Sequence, residues 1–168
     1  MTNVSIRYLQ ANDSNEFISL AKRSENFHSP WIKLPQTEDA FLSYLQKFDH
    51  KRNISFAIED NHKLAGIVNL NEIIRGAFQN AFLGYYVFKG FEGKGVMYQG
   101  LKQVIKKAFT EYHLHRLEAN IQPGNTSSIA LVKRNQFRFE GLAKRYLCIN
   151  NVWKDHERWA ITKEDFIQ

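Results

Sequence analysis

Residues Gly84–Met97 read Gly-Tyr-Tyr-Val-Phe-Lys-Gly-Phe-Glu-Gly-Lys-Gly-Val-Met, and that order carries the first chemical suggestion in the chain. An alternating apolar run stops, Gly93 and Gly95 bracket Lys94, and an amphipathic helical pattern starts at once. Two glycines ahead of a helix N-terminus can turn several main-chain N–H groups toward one anion, and a pyrophosphate suits such a turn. It is not the nucleotide loop that ends Gly-Lys-Ser/Thr, because Val96 follows Gly95. Nor is it the dinucleotide Gly-x-Gly-x-x-Gly turn, because Val96, Met97 and Tyr98 come next.

The elements that must hold this loop follow from periodicity. Val4–Leu9 alternates as a strand. Asp13 with Glu16 forms a capping-box signature for a helix whose stripe is Phe17, Leu20 and Ala21. Phe27-His28-Ser29-Pro30-Trp31 and Pro35 break that helix and leave His28 in a loop. A second helix follows Thr37, with Phe41, Tyr44, Leu45 and Phe48 on one face. Strands are expected around Ile54–Ile58, at Leu64–Ile74 and at Asn80–Phe88. Met97, Leu101, Val104, Ile105, Ala108, Phe109 and Tyr112 mark one face of a long helix. Arg116–Ile121 is a strand, Pro123-Gly124-Asn125 turns into a helix of about ten residues, and 137–149 with 152–162 form a hairpin about Asn150-Asn151. This order predicts an α+β fold, with a mixed, mainly antiparallel seven-stranded sheet and about four helices, residues 1–168 forming a single domain. The strand–helix–strand from Asn80 to Ile121 should be a parallel crossover.

Bulk properties narrow the partners. The 168-residue chain carries a net charge of +6, 43% hydrophobic and 14% aromatic residues; this describes a folded globule, and the charge suits anionic partners or, more simply, a soluble protein with a basic surface. Exposed aromatics interleaved with Arg and Lys, as an RNA-stacking platform needs, are absent from the sequence pattern, which argues against nucleic acid. Cys148 is the single cysteine, and no signal peptide or membrane-length apolar run is seen, so a cytoplasmic location is the expectation. His113, His115 and His156 have no metal-site spacing, and no metal is expected.

Three segments together resemble the GCN5-related N-acetyltransferases. They are the strand running into Glu92-Gly93-Lys94-Gly95-Val96-Met97, the stretch Arg116–Ser128 with its Asn125-Thr-Ser-Ser128 helix start, and the C-terminal hairpin from Tyr146 to Ile161. The branch most resembled holds the ribosomal-protein alanine N-acetyltransferases, RimJ/RimL-like, and Phe27–Trp31 looks like a piece of that branch. Two departures stand out: Glu92 puts a carboxylate beside the loop, and Met97 fills a place where Gly or Ala is common.

The resemblance implies acetyl-CoA as acyl donor. Its pyrophosphate would take the amides of Gly93, Gly95, Val96 and Met97, with Lys94 at the rim. Its pantetheine arm would lie beside Tyr86, Val87 and Phe88 where two parallel strands splay. Asn125 and Ser128 would meet the thioester end, and Lys133 with Arg134 the 3′-phosphate. The Val87 amide would hold the oxyanion. Ser128 or Tyr146 would protonate the leaving thiolate, and Glu72 is the nearest carboxylate for a base, with Asn69 and Asn71 able to hold a water. His28, Trp31, Asn71, Tyr85 and Trp153 are candidate acceptor contacts. Each also has a plain structural reading: Asn125 and Ser128 as helix caps, Lys133 and Glu72 as surface charges, Tyr85 as core.

These roles describe transfer of an acetyl group to a primary amine, with a protein N-terminus, such as that of a ribosomal protein, as the expected acceptor. Small-molecule amines are the alternative within the class. A non-catalytic RNA- or ribosome-binding module, or an acyl-CoA sensor, is the alternative outside it. Edge strands and the aromatic hairpin are compatible with a homodimer.

Overall fold

The computed structural model describes residues 3–166. The elements run β1 (Val4–Tyr8), α1 (Ser14–His28), α2 (Glu38–Leu45), β2 (Ile54–Asp60), β3 (Lys63–Ile74), β4 (Asn80–Val87), α3 (Val96–Thr110), β5 (Arg116–Ile121), α4 (Thr126–Arg134), β6 (Arg138–Ile149) and β7 (Val152–Thr162), with a short 3₁₀ turn at Ala11–Asp13. One seven-stranded sheet has the order β1-β2-β3-β4-β5-β7-β6. Every neighbouring pair is antiparallel except β4 and β5. The α+β, mainly antiparallel expectation and the element order are thus borne out. Among the described residues no helix is long and apolar enough to cross a membrane.

The sheet separates two apolar layers. Ile54, Phe56, Ile58, Val68, Leu70, Leu83 and Ala119 pack with the α3 stripe of Leu101, Val104, Ile105 and Ala108, and with Val132 of α4. On the other face Phe17, Leu20 and Ala21 of α1 and Phe41 of α2 cover Ala57, Leu64, Ile67 and Phe88. Because side chains alternate along a strand, Tyr85 and Val87 face α3 and α4, whereas Gly84, Tyr86 and Phe88 face α1 and α2. Gly100 lets α3 settle on β2, since a Cβ there would stand 2.5 Å from Ile58 Cγ2.

Two local expectations are corrected. The Asp13–Glu16 capping box does not form. Asp13 accepts from the Gln10 amide at 2.8 Å and from both terminal nitrogens of Arg7, and Glu16 Oε1 accepts instead from the Leu64 amide at 3.0 Å. Tertiary partners outcompete the local cap because they also satisfy a buried charge and a strand-end donor. Helix α1 also runs on through Phe27 and His28, so His28 closes a helix and is buried, where the sequence suggested a loop. Pro30 still stops the helix.

Candidate active site

Strands β4 and β5 pair over four positions only, from Asn80↔Arg116 to Leu83↔Ala119, and then part. Beyond that point β4 keeps its ladder with β3. The Phe88 amide donates to Ala65 O at 2.8 Å, and Phe88 and Tyr86 are the residues whose main-chain groups turn toward β3. The alternation therefore directs the N–H and C=O of Tyr85 and Val87 into the gap. Of the three residues expected along a pantetheine arm, only Val87 offers its main chain there. Tyr86 and Phe88 contribute side chains on the α1/α2 face.

After β4 the chain turns through Gly93 and Gly95, both in the left-handed region (φ +72° and +74°), with no atom within 4 Å of a built Cβ at either. This geometry favours glycine, and left-handed residues in such a turn can set successive amides toward one anion. Gly95 is the N-cap of α3. Among the described residues no side-chain or turn acceptor meets the amides of Gly93, Gly95, Val96 or Met97. Four donors at a helix N-terminus without a protein acceptor fit a diphosphate.

The two departures in the loop are resolved by their contacts. The Glu92 carboxylate is taken up by its own amide and that of Gly90, which hold it below the usual carboxylate range. Lys94 Nζ donates to Gly90 O at 2.6 Å and lies 5.8 Å over the Phe91 ring. Both charges thus fold back on the start of the loop. Met97 is accommodated by Gly66 on β3: a Cβ there would lie 2.5 Å from Met97 Sδ and 2.7 Å from Tyr86 O.

On the α3/α4 side, Asn125 caps α4, its Oδ1 accepting from the Ser128 amide (3.3 Å) and Ser127 Oγ (3.2 Å). Ser128 Oγ donates to the Tyr85 hydroxyl at 2.7 Å. Burial holds the Tyr85 phenol above its ordinary pKa, against the opposing Ser128 bond, so it stays protonated at neutral pH. Arg134 stacks 4.1 Å from the Tyr98 ring in the first turns of α3, beside the loop, while Lys133 lies 5.3 Å over Trp159 on β7.

On the α1/α2 side a polar chain crosses the layer. Ser55 Oγ donates to Asn69 Oδ1 (2.7 Å), Asn69 Nδ2 donates to Tyr44 OH (2.9 Å), and Tyr44 OH lies 3.0 Å from Tyr86 OH. Asn69 is therefore committed, and Tyr44 and Tyr86 are pushed up in pKa by burial. Asn71 Nδ2 lies 3.2 Å from where a Gly84 Cβ would be. Glu72 sits at the β3 irregularity with φ +50°, its side chain 51% exposed and bonded to Arg52 Nε at 2.7 Å. His28 Nε2–H donates to the Val87 carbonyl at 2.7 Å, and its ring packs against Tyr86 and Phe88.

Trp31 bridges toward α4. Its Cη2 is 3.4 Å from a built Gly124 Cβ, so the segment after α1 reaches the β5–α4 turn. A cavity of about 230 Å³ is lined by Glu25, His28, Pro30, Gln36 and, from the hairpin tip, Asn150. Asn150 is the hairpin residue that lines this cavity. Trp153 is 62% exposed and absent from that lining, because its register opposite Cys148 leaves it in solvent. Tyr146 is half-buried, its ring 6.3 Å from that of His156. The sequence reading missed Tyr44 as a polar group, Gly66 as the partner of Met97, and Asn150. A tyrosine on an apolar helix face and a glycine in a strand were the available signals.

Comparison with known proteins agrees with this geometry. The acetyltransferase (GNAT) domain family matches residues 3–138. The chain is 31% identical to the probable N-acetyltransferase YjcK of Bacillus subtilis, over 96% of this chain and 95% of that protein. It is 30% identical to the [ribosomal protein uS5]-alanine N-acetyltransferase of Escherichia coli, over 96% and 88%. The structure of Mycobacterium smegmatis RimJ in complex with CoA-disulfide superposes with a TM-score of 0.92 at 29% identity, over 98% of this chain and 84% of that one. The chain belongs to the GNAT family of acetyltransferases, related to the ribosomal-protein branch, and is an N-acetyltransferase that takes its acyl group from acetyl-CoA.

Proposed function

We propose that the protein acetylates the α-amino group at a protein N-terminus, a ribosomal protein being the favoured acceptor, in the cytoplasm. The observation that carries the donor half is the set of four acceptor-free amides at Gly93, Gly95, Val96 and Met97, placed at the end of a strand that has just left its parallel neighbour. The pyrophosphate lies on these amides, the pantetheine arm follows the β4 edge, and the thioester carbonyl reaches the Val87 N–H, which stabilises the tetrahedral oxyanion. Arg134 rather than Lys133 meets the 3′-phosphate, because it stands beside the loop. Ser128, hydrogen-bonded to Tyr85, protonates the departing thiolate.

An α-amine is the better match for this site. Its pKa near 8 makes deprotonation at neutral pH cost about 1 kcal/mol, against several for a lysine amine near 10.4. Glu72, ion-paired and half exposed, supplies no strong carboxylate base of the kind a lysine would need. The names of the relatives in the ribosomal-protein branch support the same class of acceptor. Thiol release from acetyl-CoA should be measured with alanine- and serine-initiated peptides, the same peptides blocked at the N-terminus, and spermidine. Turnover confined to free N-termini is expected. Turnover of spermidine alone would overturn the reading.

A further inference from the structure

The incoming amine must shed a proton, and the α1/α2 face of the β4–β5 gap carries two buried acceptors that bond nothing. The first is on His28, which is only 5% exposed. A carbonyl can only accept, so the 2.7 Å contact with Val87 O places the ring proton on Nε2 and leaves a lone pair on Nδ1. That Nδ1 is buried and has no partner among the described residues. The second is Asn120, one residue past the last β4–β5 pair. Ala119 and Ile121 pack beneath α3 and α4, so Asn120 points to the opposite face, where its Oδ1 is buried without a donor directly across from Arg158 of β7, whose Nε is buried without an acceptor. A buried acceptor left unpaired has lost its water without a replacement, which a ligand N–H restores. His28 Nδ1 on the β4 side and the Asn120–Arg158 pair on the β5 side offer two acceptors and one donor, which suits the N-terminal amine of a peptide with its first N–H and C=O groups. The cavity between Glu25, Gln36 and Asn150 ends on the same imidazole, with the carboxylate of Glu25 and the ammonium of Lys33 both on its wall.

We propose that the acceptor amine is received on this face, between the end of α1 and β5, where His28 Nδ1 takes its proton and Asn120 Oδ1 accepts a second N–H. This rests on the reading that the thioester lies at Val87. As the amine nitrogen bonds to the acyl carbon, one N–H proton passes to Nδ1. The C–S bond then breaks with its electron pair on sulfur, and the thiolate is protonated. The imidazolium gives its proton to solvent, so one proton leaves nitrogen and one arrives at sulfur. Anchoring Nε2 on Val87 O ties the base to the residue whose amide holds the oxyanion, so the two groups keep a fixed relation.

The charged and titratable groups around His28 are Glu25 and Lys33 from the cavity wall and Tyr86 from β4, with Arg158, paired to Glu118, on the facing β5/β7 wall, while the hairpin tip contributes the neutral Asn150. Burial lowers the imidazole from its ordinary 6.5, with the Val87 bond opposing. The base form therefore persists at neutral pH. Turnover should rise with pH through a value below 6.5 as the imidazole is freed, and rise further as the α-amine itself loses its proton at about 8.

The test uses the full chain, acetyl-CoA and an alanine-initiated hexapeptide, with spermidine in parallel. Coenzyme A affinity is read by calorimetry, and kcat and KM are followed from about pH 5 to 9. His28→Gln keeps a donor for Val87 O but has no titrating base. It should bind coenzyme A within about twofold of the parent, lose kcat on the order of 10²-fold, and lose the acidic limb of the profile. Asn120→Leu should raise the acceptor KM at unchanged coenzyme A affinity. A His28→Gln enzyme that binds coenzyme A and keeps both kcat and the acidic limb overturns the proposal. Nitrogen-15 NMR of the parent gives a check free of any variant's folding: protonation of His28 on Nδ1 at neutral pH would overturn it. Loss of the Val87 reading would appear separately, as parent protein that fails to bind coenzyme A or a Gly95→Glu variant that still does.

Discussion

Ser128 Oγ donates to the Tyr85 hydroxyl at 2.7 Å, and the Tyr85 O–H lies 3.3 Å from the Ser128 carbonyl that can accept it. This reciprocal pair ties α4 to β4 on the side of the gap opposite His28. The Ser128 hydroxyl is thus held with its proton already engaged. A thiolate arriving in the gap would compete with a phenol kept neutral by burial. Ser128→Ala should cut kcat on the order of 10²-fold while coenzyme A affinity changes little. Tyr85→Phe should cost less in rate, since the serine keeps its proton but loses its orientation. Rapid-quench kinetics with coenzyme A titrations check both. An unchanged kcat in Ser128→Ala would leave the residue as part of the α4 start and nothing more.

The pyrophosphate loop makes a sharper claim. At φ +74° Gly95 cannot take a side chain without strain of about 1–2 kcal/mol, although nothing crowds the site. Gly95→Ala should therefore lower Tm by a few degrees and weaken coenzyme A modestly. Gly95→Glu adds a carboxylate to an amide cluster meant for phosphate and should abolish binding with the fold intact. Circular dichroism and calorimetry on the two variants separate strain from charge.

What the sequence revealed and what it hid follow one physical division. Strand alternation, the α3 stripe and the Gly93–Gly95 turn are set by local pattern, and these were read correctly. The parallel pairing of β4 with β5 was expected from the crossover, whereas the point at which they part, after Leu83 and Ala119, had no local signal. Hidden features depend on partners distant in sequence. Glu16 leaves the capping box for the Leu64 amide, 48 residues on, and His28 is buried because Val87 O waits for it, 59 residues on. Tyr44 looked like one more apolar stripe residue until Asn69 and Tyr86 arrived at its hydroxyl. The positive φ of Glu72 had no local signature either.

Gly66 and Met97 test whether the large residue at the start of α3 is a compensated change. A Cβ on Gly66 would meet the flexible Met97 sulfur at 2.5 Å and the fixed Tyr86 carbonyl at 2.7 Å. Gly66→Ala should destabilise by about 1–3 kcal/mol through overpacking. The double variant Gly66→Ala/Met97→Ala should recover only part of the overpacking, because the backbone contact remains. Denaturant titration of the four-member cycle gives the coupling, and full recovery would mean that Tyr86 O yields.

Arg134 offers a test that leaves the chemistry alone. Its guanidinium lies on the ring of Tyr98, 4.1 Å away, a residue in the first turn of α3. Stacking of that kind orients the cation while leaving its N–H groups free for a phosphate. Lys133, one residue earlier, is directed over Trp159 on the neighbouring strand. Arg134→Ala should therefore weaken coenzyme A several-fold at low salt and leave the affinity for dephospho-coenzyme A nearly unchanged. Lys133→Ala should alter neither. Because the pair is exposed, the Arg134 effect should shrink as salt rises past a Debye length of about 10 Å at 0.1 M. Equal losses for the two ligands would move Arg134 away from the 3′-phosphate and toward the pyrophosphate, and a loss confined to Lys133→Ala would exchange the two roles.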